Sequence, residues 1–201
     1  MGGEVDELAV LPAKSKTVRL PIVKNRSVCY TAFIISNAAR GCIPLILYHA
    51  SKEIVPYPEV RKAKYTKDFS WGFYCTNNLE QAVRWANRGA GDPIINYYSY
   101  EPDDNLQILH FPEMTDDWLD FIAKCRNGET HTYDIVEGPM ANDTIWNYVN
   151  DFLTGRINRK QFWVLAEFKY PTHQISFHTL SALNCLTFLK SEVIYDGKRT
   201  K

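Results

Sequence analysis

From residue 45 onward, hydrophobic and polar positions fall into short blocks, and each block carries the period of one element. Leu45 to Tyr48 is a compact apolar run that reads as a buried strand, running into His49-Ala50-Ser51. Residues 52–71 are charged and interrupted by prolines, and read as a loop inside one domain. Gly72 to Thr76 reads as a second short strand. Asn77 then offers an N-cap, with Glu80 three residues on to complete a capping box, and Leu79, Ala82, Val83 and Ala86 recur at helical spacing up to a stop at Gly89. Ile94 to Tyr100 and Leu106 to Phe111 read as strands on either side of the turn-rich Pro102-Asp103-Asp104-Asn105.

Thr115 caps an amphipathic helix that reaches Arg126, with Trp118, Leu119, Phe121, Ile122 and Cys125 on its inner face. Asp116 and Asp117 suit its positive end. Tyr133 to Val136 is strand-like and stops at Gly138-Pro139. Asn142 caps a further helix with Ile145, Trp146, Val149, Phe152 and Leu153 inside, ended by Gly155. Residues 161–168 fit a helix or a strand equally. Gln174 to His178 alternates like a strand. Thr179 caps a last helix carrying Ala182, Leu183, Leu186 and Leu189, and Glu192 to Tyr195 reads as an edge strand. Strands and helices intermix without a βαβ rhythm, so the fold class is α+β. Neither a GxGxxG stretch nor a P-loop occurs. The expected organisation is an N-terminal extension over 1–44, one domain over 45–196, and a solvated tail over 197–201.

Composition narrows the partners. The 201 residues hold 23 basic and 23 acidic side chains, so the formal charge is zero. Nucleic acid is therefore not expected as a tightly held electrostatic partner, although a local patch could hold it as a substrate. Five scattered cysteines without a CxxC pair argue against zinc and for buried thiols in a reducing compartment. No apolar stretch reaches the length of a membrane span. Lys24 and Arg26 ahead of the apolar run Val28 to Ile35 loosely resemble an export signal. The run is short, lies far from the start and is followed by Arg40, which favours a short helix or strand and a cytoplasmic location.

The residues with chemical promise sit on three short strands: His49 in Y-H-A-S, Tyr74 in G-F-Y-C-T, and Gln174 in H-Q-I-S-F-H. In this order and context the chain resembles the ADP-ribosyltransferase superfamily, in the His-Tyr-Glu branch shared by poly-ADP-ribose polymerases and diphtheria-type toxins. It is most similar to a poorly characterised bacterial family of predicted ADP-ribosyltransferase toxins. The motifs are Leu47-Tyr48-His49-Ala50-Ser51; Asp68 to Thr76 with its Leu79-Glu80-Gln81-Ala82 helix; Tyr133 to Asp143; and Gln174 to Thr179.

The resemblance implies split antiparallel sheets with flanking helices around an NAD cleft. His49 would hydrogen-bond the adenine-side ribose, Ala50 would hold the nicotinamide carboxamide through its backbone, and Ser51 would support the nicotinamide ribose. Gly72 belongs to the same cofactor-binding set. Tyr74 would lie against the nicotinamide ring, with Trp85 as a second aromatic wall. Gln174 matches the position of the branch's catalytic Glu, whose carboxylate holds the ribose 2′-hydroxyl and stabilises an oxocarbenium-like state. Gln accepts the same hydrogen bond but brings no charge. The charge would then come from Asp134, Glu137 or Asp143, with Asp134 preferred because an unpaired carboxylate among apolar strand residues is costly. Ala50 and Ser70 stand where the pattern has Gly. The activity implied is mono-ADP-ribosyl transfer from NAD, without a metal, to an intracellular protein, tRNA or other RNA, by a bacterial toxin or defence effector with an antitoxin partner. NAD hydrolysis, or NAD binding without turnover, are the alternatives.

Overall fold

The computed structural model describes residues 44–62, 67–141, 143–166, 172–195 and 198–199. The expectations for 1–43, for Cys29 and Cys42, and for the Asn142 cap fall outside these residues. In chain order the strands are β1 (Leu45–Ser51), β2 (Phe73–Cys75), β3 (Ile94–Tyr100), β4 (Ile108–His110), β5 (Ile135–Gly138), β6 (Gln174–Phe177), β7 (Leu186–Tyr195) and β8 (Lys198–Arg199). The helices are α1 (Leu79–Ala86), α2 (Asp116–Arg126), α3 (Asp143–Leu153), α4 (Arg159–Leu165) and α5 (Leu180–Leu183). The class is α+β.

The strands form two four-stranded sheets, ordered β1-β3-β7-β8 and β2-β6-β5-β4. The first is antiparallel throughout. The second departs from the expected antiparallel pattern at its edge, where β4 lies parallel to β5. A parallel pair needs a crossover connection, and α2 between β4 and β5 supplies it. The inner faces of the two sheets share one core, in which Leu47, Tyr98 and Tyr100 from the first meet Phe73, Ile135, Ile175 and Phe177 from the second. Strand alternation sends the neighbours of these residues the other way. Thus Tyr74 and Val136 join Trp118, Leu119, Ile122, Ile145, Val149 and Phe162 beneath α2, α3 and α4. Ile95 and Tyr97 lie under Ala82 and Ala86 of α1. The result is a stack: α1, the two sheets, then α2, α3 and α4.

Capping and turn chemistry explain most boundaries. The α1 cap is Asn78 rather than Asn77: its side chain accepts from the Gln81 backbone N–H. Thr115 caps α2 as expected. The ambiguous stretch 161–168 is helical as far as Leu165, because Asn158 and Gln161 close a reciprocal capping box ahead of it. The last helix is shorter than its leucine spacing suggests. It is capped by Thr179 but ends at Leu183, and Leu186 and Leu189 lie on the ten-residue strand β7. Pairing with β3 along that length outweighs the helical pattern. Lys198 and Arg199, expected in a solvated tail, pair with Tyr195 and Ile194 as an edge strand.

Candidate functional site

The two sheets meet where β1 and the residue just after β2 exchange backbone hydrogen bonds, Tyr48 N to Thr76 O (2.8 Å) and Thr76 N to Tyr48 O (3.0 Å). Directly beyond this joint lies a cleft of about 350 Å³, a size that suits a small-molecule site. His49, Ala50, Tyr74, Trp85 and Gln174 all line it, together with Lys67, Asp68, Arg88, Arg126, Met140, Ala141 and Trp146. Residues far apart in the sequence thus share one wall.

His49 stands on β1 and stacks on Phe73 of β2, with ring centroids 4.3 Å apart. Its Nδ1 lies 2.7 Å from the Tyr74 carbonyl. A carbonyl can only accept, so Nδ1 carries the proton and Nε2 is left as an acceptor. Burial pushes the imidazole pKa down to about 4, against the raising effect of that carbonyl, and the nearby Lys67 and Arg61 charges push it further the same way. At neutral pH His49 is an uncharged acceptor.

Tyr74 is buried. Its hydroxyl donates to the Ser70 carbonyl (2.7 Å) and accepts from the Phe69 N–H (3.1 Å). Burial first, and the neighbouring Asp68 charge second, hold the phenol well above its usual pKa. It is therefore a wall and not a proton donor or base. The Lys67 ammonium sits 4.5 Å from the centroid of its ring, and burial lowers the Lys67 pKa. Ser70 adopts φ = 68°, the left-handed region that favours glycine. The Gly-to-Ser replacement noted in the D-F-S-W-G segment therefore falls where Gly would be unstrained.

Gln174 begins β6 and pairs with Gly138 of β5. Its amide nitrogen faces two acceptors, the Asp68 carboxylate (3.0 Å) and the Pro139 carbonyl (3.2 Å). That contact fixes the amide orientation and turns Oε1 away from both. Asp68 is only 7% exposed. It also accepts from the Ala141 N–H (2.9 Å) and forms an ion pair with Arg126, whose Nε lies at 3.1 Å. Gly138 admits no side chain: a Cβ there would stand 2.9 Å from Phe111 Cβ. This close approach seats Pro139, Met140 and Ala141 beside the cleft.

Several expectations are corrected. Asp134 is not at the cleft. In the antiparallel β5/β6 register Gln174 pairs with Gly138 while Phe177 pairs with Ile135, so Asp134 lies beyond the opposite end. There it accepts from Thr179 Oγ (2.6 Å) and the Gln107 N–H (3.0 Å), which hold its carboxyl below the usual range. Glu137 points to the other face, where His173 (2.8 Å) and then His110 lower its pKa. The side chain of Asp143 lies outside the described residues. Ser51 and Gly72 are also off the cleft wall. The Ser51 hydroxyl accepts from the Glu53 N–H in the turn after β1 (3.1 Å). Gly72 packs against His178 and the Phe177 carbonyl, each 3.0 Å from where its Cβ would be.

The carboxylate that reaches Gln174 is Asp68, which the sequence places in a charged loop and at the head of a motif without marking it as a site residue. Its place at the head of the D-F-S-W-G motif was the available signal. Arg126 and Trp146 gave none, since each reads as an ordinary helix residue. Among the described residues no group of three or more His, Cys, Asp or Glu is placed to hold a metal ion. No helix there is long and apolar enough to cross a membrane.

A family model described as a protein of unknown function (DUF3990) matches residues 45–188, which include every motif and every cleft residue named above. No curated protein and no solved structure matches the chain.

Proposed function

We infer that this chain, which belongs to the DUF3990 family, binds NAD in the cleft and transfers its ADP-ribose to a macromolecular acceptor. The observation that carries the reading is the convergence of His49, Ala50, Tyr74, Trp85 and Gln174 on one wall. The motifs in which they stand resemble the ADP-ribosyltransferase superfamily, and the fold proposed is that of the superfamily.

The chemistry available fits. His49 Nε2 is a neutral acceptor for a ribose hydroxyl. Tyr74 and Trp85 provide aromatic surface for a flat ring. Gln174 Oε1 accepts from the 2′-hydroxyl of the nicotinamide ribose, next to the anomeric carbon. The C–N glycosidic bond breaks with its electron pair leaving on nicotinamide, and the acceptor nucleophile bonds to the anomeric carbon and releases its proton to solvent water. The reaction so written needs no metal. The acceptor is proposed to be a protein, tRNA or other RNA in a bacterial cytoplasm, the protein acting as a toxin or defence effector held in check by an antitoxin. Motif resemblance supports that setting.

A second reading has its own observation. Among the described residues the carboxylate at the cleft, Asp68, is neutralised by Arg126, so stabilisation of an oxocarbenium-like state is weaker than from a bare carboxylate. Loss of one such contact costs about 10²–10³ in rate. NAD binding without turnover would follow if no other group made up the difference. Both readings are tested by incubating the protein with NAD labelled on the adenine side and cell lysate, with His49→Ala alongside. Label on protein or RNA, lost in the variant, is the expected result. Free ADP-ribose alone means hydrolysis. A thermal shift with NAD but no product means binding only. Neither product nor shift overturns the NAD reading.

A further inference from the structure

The orientation of a buried amide is a choice between two states that differ only in which end meets the ligand. At Gln174, which is 3% exposed, the choice is made by Asp68. The nitrogen end has two acceptors within 3.2 Å, the Asp68 carboxylate and the Pro139 carbonyl. Turning the amide over would set oxygen against oxygen at both. Asp68 cannot yield, because the Ala141 N–H and the Arg126 guanidinium hold its two oxygens. We propose that Asp68 is the positioning residue of the cleft: it fixes the Gln174 amide with Oε1 toward the ligand, so that the site presents a neutral acceptor selective for a hydroxyl donor.

What Oε1 then accepts rests on the NAD reading; the orientation itself does not. The pair also accounts for the absence of a carboxylate at position 174. A second carboxylate about 3 Å from Asp68 would repel it, and one of the two would have to keep a proton. The other charged or titratable groups facing the pair are Arg126 and Cys125 from α2, Lys67 from the loop before β2, Arg88 just beyond α1, His49 from β1 and Tyr74 from β2.

A four-protein cycle tests this: native, Asp68→Asn, Gln174→Glu, and both together. In Asp68→Asn the new carbonyl must serve Arg126, which leaves its NH₂ facing the Gln174 amide nitrogen and the Ala141 N–H; the amide then loses its hold or turns over against the Pro139 carbonyl, and Oε1 is no longer fixed. Turnover of NAD is expected to fall about 10²–10³-fold, mainly in kcat, with the protein still folded. In Gln174→Glu turnover and thermal midpoint should both decline as pH rises and the proton shared by the two carboxylates leaves. In the double variant the introduced amide donates to the introduced carboxylate, so turnover should return to within about tenfold of native and the pH dependence should vanish. That recovery is strongly non-additive, which a merely structural ion pair would not produce. Native turnover in Asp68→Asn, or single losses that simply multiply in the double variant, overturns the proposal. If the native protein neither turns over NAD nor is stabilised by it, the NAD reading alone has failed. The same cycle read by thermal unfolding then decides the orientation: recovered stability in the double variant supports it, and additive losses overturn it.

Discussion

Ser70 shows how much one backbone torsion can hold. Its φ of 68° is locked from both sides: its N–H donates to the Lys67 carbonyl (3.1 Å) and its carbonyl accepts from the Tyr74 hydroxyl (2.7 Å). A left-handed L-residue costs roughly 1–2 kcal/mol, and glycine gives back about 0.5–1 kcal/mol through its freer unfolded chain. Ser70→Gly is therefore expected to stabilise the protein by about 0.5–1 kcal/mol, seen as a higher denaturant midpoint with an unchanged slope. At this scale the sequence was informative where a residue's neighbours narrowed its role. His49, Tyr74 and Gln174 each sit in a strand fragment with a recognisable context, and all three reach the cleft. For Asp68 the motif marked the position but not the role, because a carboxylate in a charged loop carries no mark of burial; only the fold brings Arg126 to it. Asp134 misled for the converse reason. Its apolar neighbours showed that it needed a partner, and Thr179 supplied that partner at the wrong end of the strand.

At the scale of elements, the segment after β1 is held to β3 by two side chains, Tyr98, whose hydroxyl donates to the Val55 carbonyl, and Asn96. Asn96 is fully buried. It accepts from the Val55 N–H (2.9 Å) and donates to the Glu53 carbonyl (3.1 Å). Asn96→Ala leaves both of these groups without their partner and is expected to cost about 1–3 kcal/mol. Amide exchange at Val55 should accelerate more than exchange in β3; uniform acceleration would mean that Asn96 does no local clamping. The elements themselves were mostly readable, since caps such as Thr115 and Thr179 act locally. The exceptions lie where distant pairing decides the outcome. Leucines 186 and 189 keep helical spacing but extend as β7 between β3 and β8, and the parallel β4/β5 pair depends on a crossover that no local pattern encodes.

For the whole molecule, acid is the condition that bears on the backbone around β2, because half-buried neutral histidines are fastened to it there. His49 donates to the Tyr74 carbonyl and His178 to the Trp71 carbonyl (2.9 Å). Burial lowers each pKa from 6.5 to about 4. In the unfolded chain both take up a proton near pH 6.5, whereas in the fold neither does until about 4. Their contribution is therefore intact above pH 6.5 and is lost as pH falls from 6.5 towards 4. The slope approaches about 1.4 kcal/mol per pH unit for each histidine. The partnered carboxylates Glu137 and Asp134 have lowered pKa values, so their contribution starts to be lost as pH falls into the ordinary carboxylate range and is gone only below their lowered values. Thermal midpoints measured at pH of about 7.5, 6 and 5 should drop between the last two; a flat profile would contradict buried neutral imidazoles.

The Asp68–Gln174 contact joins residues 106 positions apart. Both sheets also take an interior strand from late in the chain, β6 in one and β7 in the other. On a ribosome adding roughly 5–20 residues per second, Asp68 emerges about 5–20 s before its amide partner exists. Until then the Gln174 side of the cleft has no wall. A nascent chain would hold its first motifs without a working pocket, and the cell making it would meet the assembled site only once β6 and β7 had been made.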